Sequence, residues 1–404
     1  MSELTGYDRG QYSAAPSALG YFYQCRYALL EALRRLPVGE QICIGIETLD
    51  DVVFETGGSA VDILQTKHHV NAEVTLTDAS PDLWKTLRIW IEGQADGTIP
   101  KDAQFFMVTT AVCRGGTAAA YLRPDCRDEK KALERLIATA STSTSGTNAP
   151  AYRAFMSLND DGRLRLLKTV LVLDGSPSIR QLDDRLRQAV FFAVERRFLD
   201  CYLQRLEGWW YGRVLLHLTD SFSTPILGEE LESETKRIRA QLSDESLPVD
   251  DDIMRATVDA SGYMHRPFVE QLNIIGLNPN RVLHAIRNYY RAREHRSRWI
   301  REDLLYVGEL DRYEECLIEE WDLLFQQMSD DLGAEAAEDE MTRAAQVLYK
   351  WVETGAHKPI RRCVIEPAIA RGTYQVLADD LRVGWHIKFR ERLQALFSTA
   401  ELGP

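Results

Sequence analysis

The residues best suited to chemistry lie near the start of the chain, around two short predicted strands. Asp51 directly precedes the strand Val52 to Glu55, and Gln65 and Lys67 end the strand Val61 to Lys67. Because residues two apart share one face of a strand, Gln65 and Lys67 point the same way. In a hairpin Asp51 lies opposite that strand end, on a neighbouring strand about 5 Å away. The sequence therefore predicts one small site that combines a carboxylate with a lysine.

Phosphodiester hydrolysis uses this combination of residue types. Carboxylates hold Mg²⁺, which polarises the phosphoryl group and acidifies a bound water. A lysine beside the metal orients the attacking water or offsets charge that develops in the transition state. The alternative is an ion pair between Asp51 and Lys67 that closes a strand end, since ion-pair networks also collect charged residues. The residue types alone do not specify the substrate.

Local patterns predict the elements that position these residues. A helix precedes three strands, which are followed by a second helix and a buried strand. Trp84 and Trp90 on the second helix lie six apart, off a single face, so at least one of them should pack in the core. The predicted bounds are Ser17 to Arg35, Ile42 to Glu47, Val52 to Glu55, Val61 to Lys67, Asp82 to Glu92 and Gln104 to Ala111, and farther along Lys168 to Leu173, Ile179 to Leu206, Arg281 to Arg301, Tyr313 to Met328 and Glu338 to Glu353.

The chain of 404 residues is too long for one ordinary domain. We predict an α/β domain with a mixed sheet flanked by helices over 1–225, a connection over 226–265 and a mainly helical domain over 266–404. The Ser/Thr/Gly-rich segment around 138–150 is predicted to be a flexible loop within the first domain. No internal repeat is visible.

The net charge of −13 is the wrong sign for a protein that coats nucleic acid by itself. A nuclease that binds DNA only after assembly with a partner is compatible with it. The seven cysteines lack paired or zinc-type spacing. No apolar stretch is long enough to span a membrane, so we expect a cytoplasmic protein without a membrane partner.

The succession of a helix, ETLDDVVF at 47–54 and DILQTKHH at 62–69 resembles the PD-(D/E)XK nuclease superfamily in its QxK variant. Within it, the pattern is similar to Mrr-type restriction endonucleases and to nuclease domains of CD-NTase-associated antiphage effectors. The resemblance implies a restriction-endonuclease-like fold, double-stranded DNA as substrate, and Mg²⁺ or Mn²⁺ as cofactor. It makes Asp51 the metal-binding aspartate and Lys67 the catalytic lysine. Gln65 stands where most members have Glu or Asp.

Further site residues follow from the same resemblance. Strand parity does not decide between Asp50 and Asp51, and the alignment of the motif favours Asp51. His68 and its neighbour His69 either contact phosphate or act in catalysis, or they are partly exposed residues at the strand end. The additional candidate metal ligands are Glu47, Asp50 and Thr66, and the candidate supporting residues are Gln24 and His68.

The second half also resembles a known family. FVEQL at 268–272, AIRNYYRA at 285–292, the helices with Trp299 and Trp321, and TYQVLADDLRVGWH at 373–386 are similar to the C-terminal domain of ABC-three-component antiphage proteins. That family pairs a variable N-terminal effector with a small middle-component protein and an ABC/SMC-type ATPase. This chain has no GxxxxGK[ST] motif, so it is not the ATPase itself.

The sequence thus predicts a metal-dependent endodeoxyribonuclease of a defence system, activated by assembly with an ATPase. The rival hypothesis is a non-catalytic adaptor or nucleic-acid-binding subunit, and cleavage of RNA instead of DNA stays open. A homodimer suits a nuclease that cuts both strands of a duplex. Arg287, Arg291 and Arg298 on one predicted helix either contact nucleic acid or pair with carboxylates of the protein.

Overall fold

The computed structural model describes residues 14–38, 41–57, 59–69, 74–220, 224–333 and 335–400. The chain folds as two compact units, Met1–Ile238 and Arg239–Pro404. The division between them lies inside the 226–265 segment that the sequence predicts as a connection. Within the described ranges, no helix combines the length and the apolar character that a membrane crossing requires.

The first unit is organised around a mixed sheet, as predicted from the sequence. Its described strands run in the order β7-β5-β3-β2-β1-β8, and β4 pairs with β6 in a small separate sheet. Strands β1, β2 and β3 are antiparallel neighbours, whereas β5 is parallel to β3 and to β7. The strands are β1 (Ile42–Ile46), β2 (Val52–Thr56), β3 (Ser59–Lys67), β4 (Thr75–Leu76), β5 (Gln104–Thr109), β6 (Val112–Cys113), β7 (Val170–Leu173) and β8 (Ile226–Leu227).

Each strand alternates its side chains between the two faces of the sheet, so both faces carry apolar residues that helices cover. One face contributes Val53, Ile63 and Phe105 to a buried cluster that includes Trp84 and Trp90. The other face carries Phe54, over which the guanidinium of Arg35 lies at 4.1 Å. The helices of this unit are α1 (Ala15–Arg35), α2 (Pro81–Asp96), α3 (Glu129–Thr142), α4 (Ala149–Ser157), α5 (Asp160–Thr169), α6 (Ile179–Ala189), α7 (Leu199–Thr219) and α8 (Gly228–Gln241), which ends just past the division.

Three predicted segments differ from the structure. The single helix expected over 179–206 is two helices, because α6 ends at Ala189 and α7 begins at Leu199 after a reversal. The reversal contains no Gly or Pro that would have marked it, and Phe198 is buried there at 1% exposure. Helices α3 and α4 extend into the segment 138–150 and leave 143–148 as the connection. The strand predicted from Lys168 begins at Val170, since α5 continues to Thr169.

The described part of the second unit is helical, as the sequence predicts. Its core contains Phe268, Tyr289, Trp321 and Trp385. Helices α11 and α14 approach closely at Gly372, where an added Cβ would lie 2.0 Å from the Asn288 carbonyl oxygen. The helices are α9 (Asp251–Met254), α10 (Pro267–Ile274), α11 (Pro279–Arg301), α12 (Glu309–Leu332), α13 (Glu338–Thr354), α14 (Pro367–Asp379) and α15 (Phe389–Ala400).

Candidate active site

Asp51 is fixed to the end of β3 by its carboxylate. Its Oδ2 accepts hydrogen bonds from the Thr66 backbone N–H at 2.7 Å and from Thr66 Oγ1 at 2.8 Å. The Gln24 side-chain amide on α1 donates to the Asp51 backbone carbonyl. The Thr66 hydroxyl, predicted as a metal ligand, therefore donates its proton to Asp51. Gln24, predicted as a supporting residue, contacts Asp51 through its main-chain carbonyl. Together they hold the segment before β2 against β3.

Asp50 points into a different environment. Its Oδ2 accepts a hydrogen bond from Trp90 Nε1 at 2.7 Å, and its Oδ1 accepts one from the Asp51 backbone N–H at 3.0 Å. Burial and the neighbouring charge of Asp51 raise the pKa of Asp50 to about 7. Burial disfavours the charged form of Asp50.

Strand parity distributes the site residues between the two faces of the sheet. Ile63 packs in the same cluster as Trp90, and Gln65 and Lys67 share its parity on β3. Since Asp50 bonds to Trp90, its carboxylate lies on the face that carries Gln65 and Lys67. Thr66 has the opposite parity. The bend at 47–51 lies outside β2, so the alternation within β2 could not have assigned Asp50 and Asp51 to their faces.

Gln65 and Lys67 both have polar groups that the fold leaves available. Gln65 is only 3% exposed, and its Oε1 has no hydrogen-bond partner. The Lys67 ammonium forms no ion pair within the described residues. Its positive charge acts on Asp50 and lowers the pKa of that carboxyl, against the larger effect of burial. The Gln65 amide oxygen is thus buried without a hydrogen bond, and within the described residues Lys67 lies near the Asp50 carboxylate without an ion pair.

The remaining predicted residues surround this centre. Glu47 has an exposed side chain and a left-handed backbone with φ of 54°. Its backbone N–H donates to the Asp51 carbonyl at 3.1 Å, which closes the bend. The His68 ring packs 4.9 Å from the ring of Tyr23, and burial lowers the pKa of His68. His69 Nε2 lies 2.9 Å from Asp82 Oδ2 on α2.

The described residues offer a small oxygen-ligand set for a divalent cation. Within those ranges, no group of three or more His, Cys, Asp or Glu side chains is arranged to hold a metal ion. The oxygen atoms at hand are the Asp50 carboxylate, Asp51 Oδ1 and the unpartnered Gln65 Oε1. Mg²⁺ prefers oxygen ligands and commonly keeps several waters with one or two protein carboxylates. Carboxylate and amide oxygens are the ligand types that Mg²⁺ and Mn²⁺ take.

Of the three arginines proposed for nucleic acid, two are occupied within the second unit. Arg298 pairs with Asp250 at 3.0 Å and with Asp252 at 2.7 Å. Arg291 donates to the Met254 carbonyl at 2.6 Å. Arg287 is exposed and has no polar partner within the described part of the chain. Arg298 therefore follows the alternative prediction for these residues, because it pairs with carboxylates of the protein.

Sequence reasoning did not find the roles of Trp90 and Asp82. Trp90 was expected only as a core residue, and it is fully buried, yet its indole N–H also bonds the site carboxylate. Asp82 was predicted only as a helix start. Both contacts join residues far apart in the chain, and no local pattern indicates them.

Comparison with known proteins identifies part of the chain. Residues 268–393 match the family described as C-terminal domain 7 of the ABC-three component (ABC-3C) systems. The predicted link to an ABC-three-component antiphage system is confirmed at the level of this domain, and such systems have several components. No curated protein matches the sequence.

One solved structure with detectable similarity is the Acinetobacter baumannii Cap4 SAVED/CARF-domain containing receptor with the cyclic trinucleotide 3'3'3'-cAAA. It is 13% identical, with 72% of this chain and 71% of that chain covered and a TM-score of 0.31. Similarity at this level carries no argument about fold or function.

Proposed function

We propose that this chain, whose C-terminal part carries an ABC-three-component domain, is the metal-dependent DNA endonuclease effector of such a defence system. Its C-terminal domain assembles with an ABC/SMC-type ATPase and a small middle-component protein, and assembly activates the nuclease. The proposal rests on one observation: the Asp50 carboxylate lies on the face of β3 that carries Gln65 and Lys67, whose amide oxygen and ammonium lack partners within the described residues, while Asp51 is bonded to Thr66 between them in sequence.

The topology supports the same proposal. A helix, three antiparallel strands, a helix and a strand parallel to the third follow one another in the first unit. This is the order of elements in which the sequence resembles PD-(D/E)XK nucleases. In that arrangement β2 and β3 are the strands that carry the metal-binding and lysine residues, so the topology and the motif point to the same residues.

Each residue has a role that follows from its surroundings. A divalent cation bound here supplies Lewis-acid polarisation of the phosphoryl group and a more acidic water. Asp51, held by Thr66, and Asp50, held by Trp90, are the carboxylates that would hold it, with Gln65 Oε1 as a neutral ligand. Lys67 places a positive charge beside the scissile phosphate and offsets negative charge in the transition state.

A non-catalytic adaptor is the second candidate, and one observation favours it. No group of three or more carboxylate, imidazole or thiolate side chains is arranged around a metal position within the described ranges. The net charge of −13 also opposes unassisted binding to DNA. In this alternative the fold binds nucleic acid or partners without cleaving them.

A plasmid-cleavage assay separates the two candidates. Wild type and Lys67→Ala are compared with Mg²⁺, with and without the ATPase, the middle component and ATP. Lys101→Ala is the matched control, because Lys101 is an exposed lysine without a side-chain partner within the described ranges. We expect wild type and the control to cut and Lys67→Ala to lose cleavage by at least about 100-fold.

Two results would contradict the nuclease. One is an absence of cleavage under every condition with folded proteins, which favours the adaptor. The other is equal cleavage by Lys67→Ala and wild type, which excludes this site. A structured RNA in parallel reactions distinguishes the substrates, and sedimentation of the assembled protein tests the homodimer that double-strand cutting would use.

A further inference from the structure

A cleft between α2 and α4 lies outside the residues assigned above. Its volume is about 160 Å³, which corresponds to roughly five water molecules at about 30 Å³ each. The cleft can therefore take one phosphate group and some of its waters. Its lining consists of Pro81, Asp82, Lys85, Arg88, Thr147, Asn148 and Ala151.

Two cations of the lining lack good partners. Lys85 is exposed and forms no ion pair or hydrogen bond within the described residues. Arg88 has Glu92 at 3.8 Å from its Nε, which is too long for a hydrogen bond. The Arg88 Nε is buried and has no hydrogen-bond partner. No hydrogen bond from the Arg88 guanidinium occurs within the described residues, so its terminal N–H groups can donate to an anion in the cleft.

The opposite wall is held in place by polar contacts. Asn148 is buried, and its Nδ2 donates to the Ala79 carbonyl at 2.8 Å and to Tyr152 Oη at 3.2 Å. Tyr152 Oη in turn donates to Ser143 Oγ at 3.0 Å. The Ser/Thr/Gly-rich connection is thus tied to α4 and to the segment just before α2, and Thr147 in it lines the cleft. A wall that is already ordered costs little entropy when a ligand binds.

The cleft adjoins the candidate active site. Asp82, the one acidic residue of the lining, lies 2.9 Å from His69 Nε2. His69 follows Lys67 by two positions at the end of β3. Lys85 and Arg88 lie about one and two turns farther along the same helix than Asp82.

We propose that Lys85 and Arg88 bind a backbone phosphate of the nucleic-acid strand that enters the candidate active site. The inference rests on the proposed function and adds a positioning site to it. Phosphate contacts fix the register of a strand without reading its sequence, so this site sets where the strand lies relative to Lys67. The recognised group is a phosphate, which a free phosphate compound also carries.

Fluorescence anisotropy with a labelled 20-base-pair duplex tests the proposal in the full chain with its partners. All variants carry Lys67→Ala in addition, to prevent cleavage. Lys85→Gln with Arg88→Gln is compared with Lys101→Gln and Arg165→Gln, a pair of exposed cations at another groove beside α2. Both double variants remove the same charge. We expect at least a tenfold loss of affinity for the duplex only in the Lys85→Gln/Arg88→Gln variant. In that variant the slope of log affinity against log salt concentration should also fall in magnitude by about one.

Equal losses in both double variants, or no loss in either, would overturn the inference. Cleavage by wild type together with unchanged binding by Lys85→Gln/Arg88→Gln rejects the phosphate site and leaves the nuclease intact. An absence of both cleavage and duplex binding rejects the nuclease and the phosphate site together. Inorganic phosphate is the other probe. If it stabilises the protein against thermal unfolding in a way that depends on Lys85 and Arg88, and no duplex binds, the cleft belongs to a small phosphate compound. That result would overturn the nucleic-acid inference.

Discussion

The indole Nε1 of Trp90 donates a hydrogen bond to Asp50 Oδ2 over 2.7 Å, so a core side chain holds a carboxylate of the candidate active site. Trp90 is fully buried and stacks on Phe105 of β5 with ring centroids 4.6 Å apart. The position of Asp50 therefore depends on how α2 packs on the sheet. Asp51 is held by Thr66 on β3 instead, independently of that helix.

Trp90→Phe should reduce cleavage more than its effect on stability explains. The variant loses the N–H that holds Asp50 while it keeps an aromatic ring against Phe105. Trp84→Phe is the matched control, because Trp84 is also fully buried on α2 but donates to the Asp78 carbonyl. Both should lose about 1–3 kcal/mol of unfolding free energy. Initial rates of plasmid cleavage should fall only for Trp90→Phe, and equal rates for the two variants would reject the positioning role.

Asp50→Asn and Asp51→Ala should differ in their effect on the stability of the metal-free protein. Asn at position 50 keeps one oxygen to accept from Trp90 and removes a partly buried negative charge, but its N–H₂ group cannot accept from the Asp51 backbone N–H, so the melting temperature should change little. Asp51→Ala leaves the Thr66 N–H and hydroxyl without their acceptor and should cost about 1–3 kcal/mol.

Mn²⁺ titration calorimetry on the same variants checks the metal assignment. Both should bind Mn²⁺ more weakly than wild type, because each loses a carboxylate that the proposed site gives to the cation. Wild-type affinity in both variants, with folding verified by circular dichroism, would show that neither aspartate is a ligand.

Arg361→Ala should strongly destabilise the second unit. Arg361 is 6% exposed; it bonds both oxygens of Glu309 at 2.7 and 2.8 Å, and it donates to the Leu304 carbonyl. Removing one partner of a buried ion pair costs about 3–5 kcal/mol. Hydrogen exchange of α12 in increasing urea measures the loss. Arg255→Ala, at an exposed pair with Asp251, should cost at most about 1 kcal/mol; similar losses for both would contradict the prediction.

The second unit should lose stability as the pH falls below the ordinary range of histidine. His295 Nε2 accepts a hydrogen bond from the Asp250 backbone N–H at 2.9 Å, which requires an unprotonated Nε2. Burial lowers the pKa of His295 below its model-compound value of 6.5. The unfolded chain therefore takes up protons first, so the stabilisation is complete above about pH 6.5 and is lost as the pH falls through the folded pKa.

Unfolding midpoints of wild type and His295→Gln between pH 5 and 7.5 check this prediction. Burial also lowers the pKa of His357 and His386, so a weaker pH dependence should remain in the variant. We expect His295→Gln to be less stable at pH 7.5 and to show a shallower decline toward pH 5. Parallel curves for the two proteins would show that His295 titrates alike in the folded and unfolded states.

The sequence by itself determined most local elements and indicated that Asp51 lies near the end of β3. Alternation of apolar residues predicted β1, β2 and β3, and helical periodicity predicted α2 with its buried tryptophans. The approach of Asp51 to the Gln65–Lys67 end follows from the hairpin, because a short connection between antiparallel strands fixes their register. The C-terminal domain was identifiable because the segments that resemble its family, from 268–272 to 373–386, lie within the residues that match that family.

The tertiary structure decided which groups these elements bring together. Asp50 lies on the Lys67 face because Trp90, 40 residues later, bonds it across the packed α2. Arg298 is occupied by carboxylates 46 and 48 residues earlier, so its place on a basic helix did not indicate its partners. The turn between α6 and α7 contains no breaking residue. In each case the outcome depends on packing between distant segments, whereas periodicity in the sequence reports only which face of one element is buried.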